Sequence, residues 1–155
     1  AVQAYMVQQA VEAEITRRGI DRADAHQLAA VRNAVGRFWA PPSPDPSTPP
    51  PHSTGAAVDL TLASQRDGIT LPMGGAIDAV DVISEPDHYV GAAPNTEAAT
   101  WHQRRQLLAS VMEAAGFAQH PNEWWHFSHG DQLWAWRTGA TKAIYAAAPS
   151  SSLTA

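Results

Sequence analysis

The chain contains no cysteine. That excludes disulfides and excludes thiolate as a metal ligand. It leaves the compartment open between cytoplasm and periplasm. No apolar run approaches the ~18–20 residues that a membrane-spanning helix needs. Basic charge is scarce: 10 Lys and Arg stand against 15 Asp and Glu, a formal charge of −5. No basic cluster stands out, so a nucleic-acid partner is not expected. The start lacks both a methionine and a charged-then-apolar leader, and Ala1 opens directly into a helical pattern. The expectation is a trimmed or fragmentary chain.

What is present suits one α+β domain. The 155 residues are 45% apolar, enough for a single core. Val2, Tyr5, Met6, Ala10 and Ala13 recur at helical spacing, which predicts a helix over 2–17 ended by Gly19. Asp21 or Asp24 can cap a second helix to about Phe38, with Leu28, Val31, Val35 and Phe38 on one face. Residues 40–51 hold seven prolines and read as an extended surface loop, the alternative being a linker between two domains. Ala56 to Leu62 reads as a buried strand. Asp67-Gly68 marks a turn before a short strand at Ile69–Leu71. Residues 73–95 read as a long functional loop. A third helix is expected over Thr96–Ala115, capped by Asn95 or Thr96, with Leu108, Val111, Met112 and Ala115 inward and Gly116 at its end. Trp124–Phe127 and Leu133–Trp136 read as two aromatic-rich strands joined by a turn. The residues from about Ala146 to Ala155 are expected to fray.

Two segments carry chemistry. In HSTGAAVD, His52 and Asp59 are good zinc-ligand types, and three protein ligands with water make a catalytic site. Positions seven apart on a straight strand face opposite sides, so the chain must bend between them, and Gly55 tolerates such a bend. Asp59 falls in an apolar strand, where a carboxylate must be paired or metal-bound. A core Asp satisfied by backbone donors is the alternative. In EWWH, Glu123 stands close to His126, and a metal site needs a base near its water. On a strand these two would point oppositely unless a bulge intervened. An aromatic strand with an incidental His is the other reading. Together the segments supply two imidazoles, one carboxylate and one base. His26, His88, His102 and His120 lack such context and are expected to be exposed. His129 falls in the turn and is not assigned to the site.

HSTGAAVDLTL, then LPMGGAIDAVD, then EWWHF resembles the VanX-like D-alanyl-D-alanine dipeptidases, zinc peptidases related to D,D-carboxypeptidases and the hedgehog domain. The resemblance implies a small, mainly antiparallel sheet carrying the metal residues, with helices packed on one side. It implies His52, Asp59 and His126 as ligands of one Zn²⁺ per chain, Glu123 as catalytic base, and Asp78 as the acid that meets the substrate's free amine. The implied substrate is a small D-amino-acid dipeptide in peptidoglycan precursor metabolism. A carboxypeptidase or endopeptidase on stem peptides, and a zinc-stabilised binding module without turnover, are the alternatives. Two departures stand out. Pro50 occupies the place where the family often carries a serine. The family's oxyanion-stabilising arginine would lie before Ala1, which implies a fragment missing its N-terminal third or a variant without that group. Arg17, Arg18, Arg32 and Arg37 are the cations available in this region, and nothing in the sequence marks any of them as a substitute.

Overall fold

A computed structural model describes residues 2–39, 43, 45 and 47–148, apart from the side chains of Val2, Gln3 and Met6. The helical face expected at Val2 and Met6, five residues of the proline loop and the tail from 149 therefore lie outside the described residues.

The first two helices form one core. α1 spans Val2–Arg18 and α2 spans Ala25–Gly36. Asp24 is the cap of α2, accepting from the amides of His26 and Gln27, both at 3.0 Å. Such a cap satisfies two of the amides a helix start leaves orphaned. The expected stripe on α2 is inward, with Val31, Val35 and Phe38 packing against Ile15 and Val80. Glu14 is buried on α1, and two ion pairs offset its desolvation, to Arg17 at 2.7 Å and to Arg18 at 2.5 Å.

The sheet is small and antiparallel, in the order β1-β3-β2. β1 is Ala57–Asp59, β2 is Ala118–Gln119 and β3 is His126–Ser128. The expected long strand thus shortens to three residues, with one further bond from the Leu60 amide to the Trp125 carbonyl. The Asp67-Gly68 turn is present, but the strand beyond it reduces to a single bridge, Ala63 to Thr70. α3 spans Glu97–Ala114 and is capped by Thr96. Its buried stripe is Arg105, Leu108 and Ala109, with Met112 partly covered. Val111, expected inward, is 56% exposed, so the face is rotated away from the expected one. This second core gathers Leu108, Met73, Trp124, Trp125 and Phe127.

One element changes type. Leu133–Trp136 lies not in a strand but in helix α4, Gln132–Thr138. Leu-Trp-Ala-Trp alternates like a strand, yet its flanks favour a helix. Asp131 accepts from the Trp134 amide at 2.8 Å, and Gly139 closes the helix. The tail also departs from expectation, because the Ala148 amide donates to the Ser53 carbonyl at 2.8 Å.

Candidate functional site

β-pairing brings the first two candidates together. Asp59 and His126 stand directly opposite each other at the ends of β1 and β3. His52 joins them from a short 3-10 turn, Pro51–Thr54. The bend required between His52 and Asp59 falls at Gly55, whose φ of +72° is left-handed and favours glycine. His52 Nε2 lies 3.1 Å from Asp59 Oδ2, His126 Nδ1 lies 3.1 Å from Asp59 Oδ1, and the two ring nitrogens are 3.1 Å apart. These distances can be tested against a metal. Ligands at ~2.0–2.1 Å around a tetrahedral zinc are separated by about 3.3 Å; the two ring nitrogens match that spacing, and an Asp59 oxygen within 4.8 Å of both supplies the third ligand atom. The imidazole rings meet edge-on, their planes at 83°. No other triad of metal-binding side chains converges among the described residues.

The cluster has a closed wall and an open side. The His126 side chain is 5% exposed, whereas that of His52 is 46% exposed. The cluster is therefore open to solvent on the His52 side. His126 Nε2 lies 3.3 Å from the hydroxyl of Ser128, itself fully buried. A ring N–H donated there leaves the Nδ1 lone pair for the metal position. Asp59 is not buried in mid-strand as expected but ends β1 half-exposed. Burial alone would raise its carboxyl, yet the hydrogen bonds from His126 and His52 outweigh this and hold it well below the ordinary carboxylate range. The same bond to Asp59 raises the His52 imidazole.

Glu123 stands beside the cluster without joining it. It needs no bulge, because it sits in the turn before β3 rather than on the strand. Its Oε2 lies 3.5 Å from His126 Nδ1. Desolvation, then the charges of Asp59 and Asp78, push its carboxyl up to about 8. A carboxylate so raised is suited to taking up a proton near neutral pH.

Asp78 lies on the 73–95 loop with a φ of +64°. Partial desolvation, then the charge of Asp59, raises its carboxyl. It also bounds a cavity of about 460 Å³ with Gln9, Ala13, Arg17, Trp39 and Asp81. Of the four arginines named above, Arg17 and Arg18 pair with Glu14 and Arg37 pairs with Glu85.

One neighbour was not expected. His120 is partly buried, with Nδ1 3.7 Å from Glu123 Oε2 and its ring 5.4 Å from that of His126. Its Nδ1 accepts from the Asn122 amide. Desolvation, then the charge on His126, lowers its imidazole to about 4, so the ring is neutral at physiological pH. The three-residue rhythm of His120, Glu123 and His126 was the signal available in the sequence. The other histidines stay apart. His26 and His88 are exposed, His102 is partly buried, and His129 packs against Phe117 and Trp134.

Comparisons with known proteins identify the family. A family model described as D-ala-D-ala dipeptidase matches residues 1–144. The chain is 43% identical over 144 residues to the D-alanyl-D-alanine dipeptidase of Synechocystis sp., an alignment covering 88% of this chain and 58% of that protein. It is 44% identical over 77 residues to the protein of the same name from Streptomyces coelicolor, covering 50% of this chain and 35% of that one. It is 38% identical over 81 residues to that of Enterococcus faecium, covering 52% and 37%. The chain thus spans 58% of the Synechocystis relative and less of the others. With the family model matched across nearly its whole length, the chain belongs to the D-Ala-D-Ala dipeptidase family of peptidases.

Proposed function

We propose that this chain carries the zinc centre and catalytic base of an enzyme hydrolysing the D-Ala-D-Ala dipeptide in peptidoglycan precursor metabolism. His52, Asp59 and His126 would hold one zinc ion, Glu123 would act as base, and Asp78 would receive the substrate ammonium. The observation that carries the reading is the convergence of the His52 and His126 ring nitrogens, 3.1 Å apart, on the two oxygens of the Asp59 carboxylate, each nitrogen 3.1 Å from one of them, beside a buried carboxyl.

When bound, zinc supplies Lewis acidity toward the scissile carbonyl, acidifies water, and adds positive charge that lowers the Glu123 carboxyl into its ionised form. Glu123 takes a proton from the attacking water and passes it to the leaving amine. Its burial keeps bulk water from competing for that proton. Ser128 would hold the His126 ring in the tautomer with Nε2 protonated. Asp78 offers a carboxylate to a free ammonium, a charge-assisted contact that an N-blocked substrate cannot make.

A second reading has one observation in its favour. The cavity beside Asp78 has about 460 Å³, room for more than an ammonium group, though of the proposed site residues only Asp78 lines it. A D,D-carboxypeptidase acting on stem peptides would use such space. Amine release from D-Ala-D-Ala, measured beside a tetra- and a pentapeptide ending in D-Ala-D-Ala, separates the two. Turnover of the dipeptide alone supports the first reading, and preference for the longer peptides replaces it with the second. Tight zinc binding with no turnover of any of them would favour a binding module.

A further inference from the structure

Arg105 is the most buried cation of the described chain, at 1% exposure, and no carboxylate accompanies it. It projects from α3. Its Nε donates to the Met73 carbonyl and its Nη1 to the Glu85 carbonyl, both at 2.8 Å. The guanidinium also lies over two rings, 4.9 Å from the centre of Tyr89 and 5.2 Å from that of Trp124. Burying a cation carries a desolvation cost that its partners must offset. An apolar side chain of similar volume would fill the same space more cheaply. A planar fork does what no apolar group and no single ammonium can do from that place: it reaches two carbonyls in fixed directions at once.

Those two carbonyls close the ends of one loop. Between them stand Asp78 and the contacts that dock the loop. Tyr89 Oη donates to the Gly74 carbonyl at 2.5 Å, and Ser84 Oγ donates to the Ala79 carbonyl. The Trp124 amide donates to the Ser84 carbonyl at 2.9 Å. Asp78 itself has a φ of +64°, a left-handed conformation that is uncommon outside glycine, though Asp adopts it more readily than most. Trp124, under the guanidinium, is the residue after Glu123.

We propose that Arg105 is a positioning residue, clamping residues 73 and 85 so that the loop presents Asp78 to the substrate amine in register with Glu123. This rests on the reading of Asp78 as the amine anchor. Arg105 touches no reacting atom and acts through the loop backbone. A purely structural role predicts uniform loss of stability and binding. A positioning role predicts loss confined to ligands with a free amine.

The test uses the zinc-loaded full chain and a non-hydrolysable phosphinate analogue of D-Ala-D-Ala, with its amine free or acetylated. Calorimetry gives the two dissociation constants for wild type, Arg105→Lys, Arg105→Gln, Asp78→Asn and the double variant Arg105→Lys/Asp78→Asn. Arg105→Lys should cut the preference for the free amine about tenfold and change the acetylated ligand less than about twofold. Asp78→Asn should remove the preference, and adding Arg105→Lys to it should remove nothing more. Hydrogen exchange at the Ser84 and Glu85 amides should quicken in Arg105→Lys while that of Phe127 stays slow. An unchanged preference in both Arg105 variants, beside a lost one in Asp78→Asn, overturns the clamp alone. Equal weakening of both ligands, or failure of both Arg105 variants to fold, makes Arg105 a core residue only and also overturns it. A preference that survives Asp78→Asn overturns the anchor reading and the clamp with it.

Discussion

Replacing Ser128 by alanine should weaken zinc binding about tenfold and leave the fold intact. Neutral imidazole has one donor and one acceptor nitrogen, so the ring proton must leave the ligand atom free. In His126 two neighbours compete for that proton. Asp59 Oδ1, 3.1 Å from Nδ1, draws it onto the nitrogen that should face the metal. Ser128 Oγ, 3.3 Å from Nε2, draws it to the other side. Removing the hydroxyl leaves Asp59 unopposed, and binding must then first move the proton. Losing such an outer partner costs typically about 10–100-fold in metal affinity. The contact is long for a hydrogen bond, which places the effect at the lower end, about tenfold or ~1.4 kcal/mol. The strand does not depend on the hydroxyl, since Ser128 pairs with Ala57 through the backbone. Competition against a chromophoric zinc chelator at neutral pH measures the affinity, and urea unfolding of the metal-free protein measures the fold. Unchanged affinity would refute the tautomer argument. So would a loss of affinity matched by an equal loss of metal-free stability.

Glu123→Gln should keep zinc affinity within a few-fold and lower turnover by about 10²–10⁴, read from amine release beside the zinc competition assay. Unchanged turnover would place the base elsewhere. The His120 imidazole falls from 6.5 in its unperturbed state to about 4 in the fold, so the unfolded chain takes up its proton first. Its contribution is therefore complete above about pH 6.5 and is lost as the pH falls toward 4, by at most about 3 kcal/mol in the metal-free protein. His120→Gln should flatten that part of the stability profile in urea titrations, and an unaltered slope would show that the ring titrates normally. Gly74→Ala should destabilise by about 2–4 kcal/mol, because a side chain at φ +79° is strained and its Cβ would lie 2.5 Å from Tyr89 Cε2. A loss below about 1 kcal/mol in denaturant unfolding would mean that the Tyr89 and Trp101 rings move aside freely.

The sequence disclosed most where a local signal decides. Asp24 and Thr96 cap the helices they precede, and Gly55 makes the bend that His52 and Asp59 need. The four residues at the cluster were legible because their types and segments are unusual together. Elsewhere the deciding partner is distant. Arg105 took an inward place on α3, and Val111 was left outside. Nothing near Arg105 in sequence announces the carbonyls of Met73 and Glu85 that accept its protons. Asp59 was expected in mid-strand, but β1 ends there, and its carboxylate is relieved by two imidazoles instead of by burial against backbone donors. The alternation at Leu133–Trp136 fitted a strand as well as a helix, and the flanking Asp131 and Gly139 settled it. β2 has only two residues, too few for any periodicity to register.

The proposed chemistry stands on His52, Asp59 and His126 together holding one zinc ion. Zinc-edge X-ray absorption of the protein loaded with one equivalent tests it most directly. The expected spectrum has a nitrogen and oxygen shell at ~2.0–2.1 Å with the outer scattering of two imidazoles, and one imidazole fewer in both His52→Ala and His126→Ala. A spectrum that keeps the same imidazole count in either variant, or a protein that does not retain zinc through gel filtration, would contradict it.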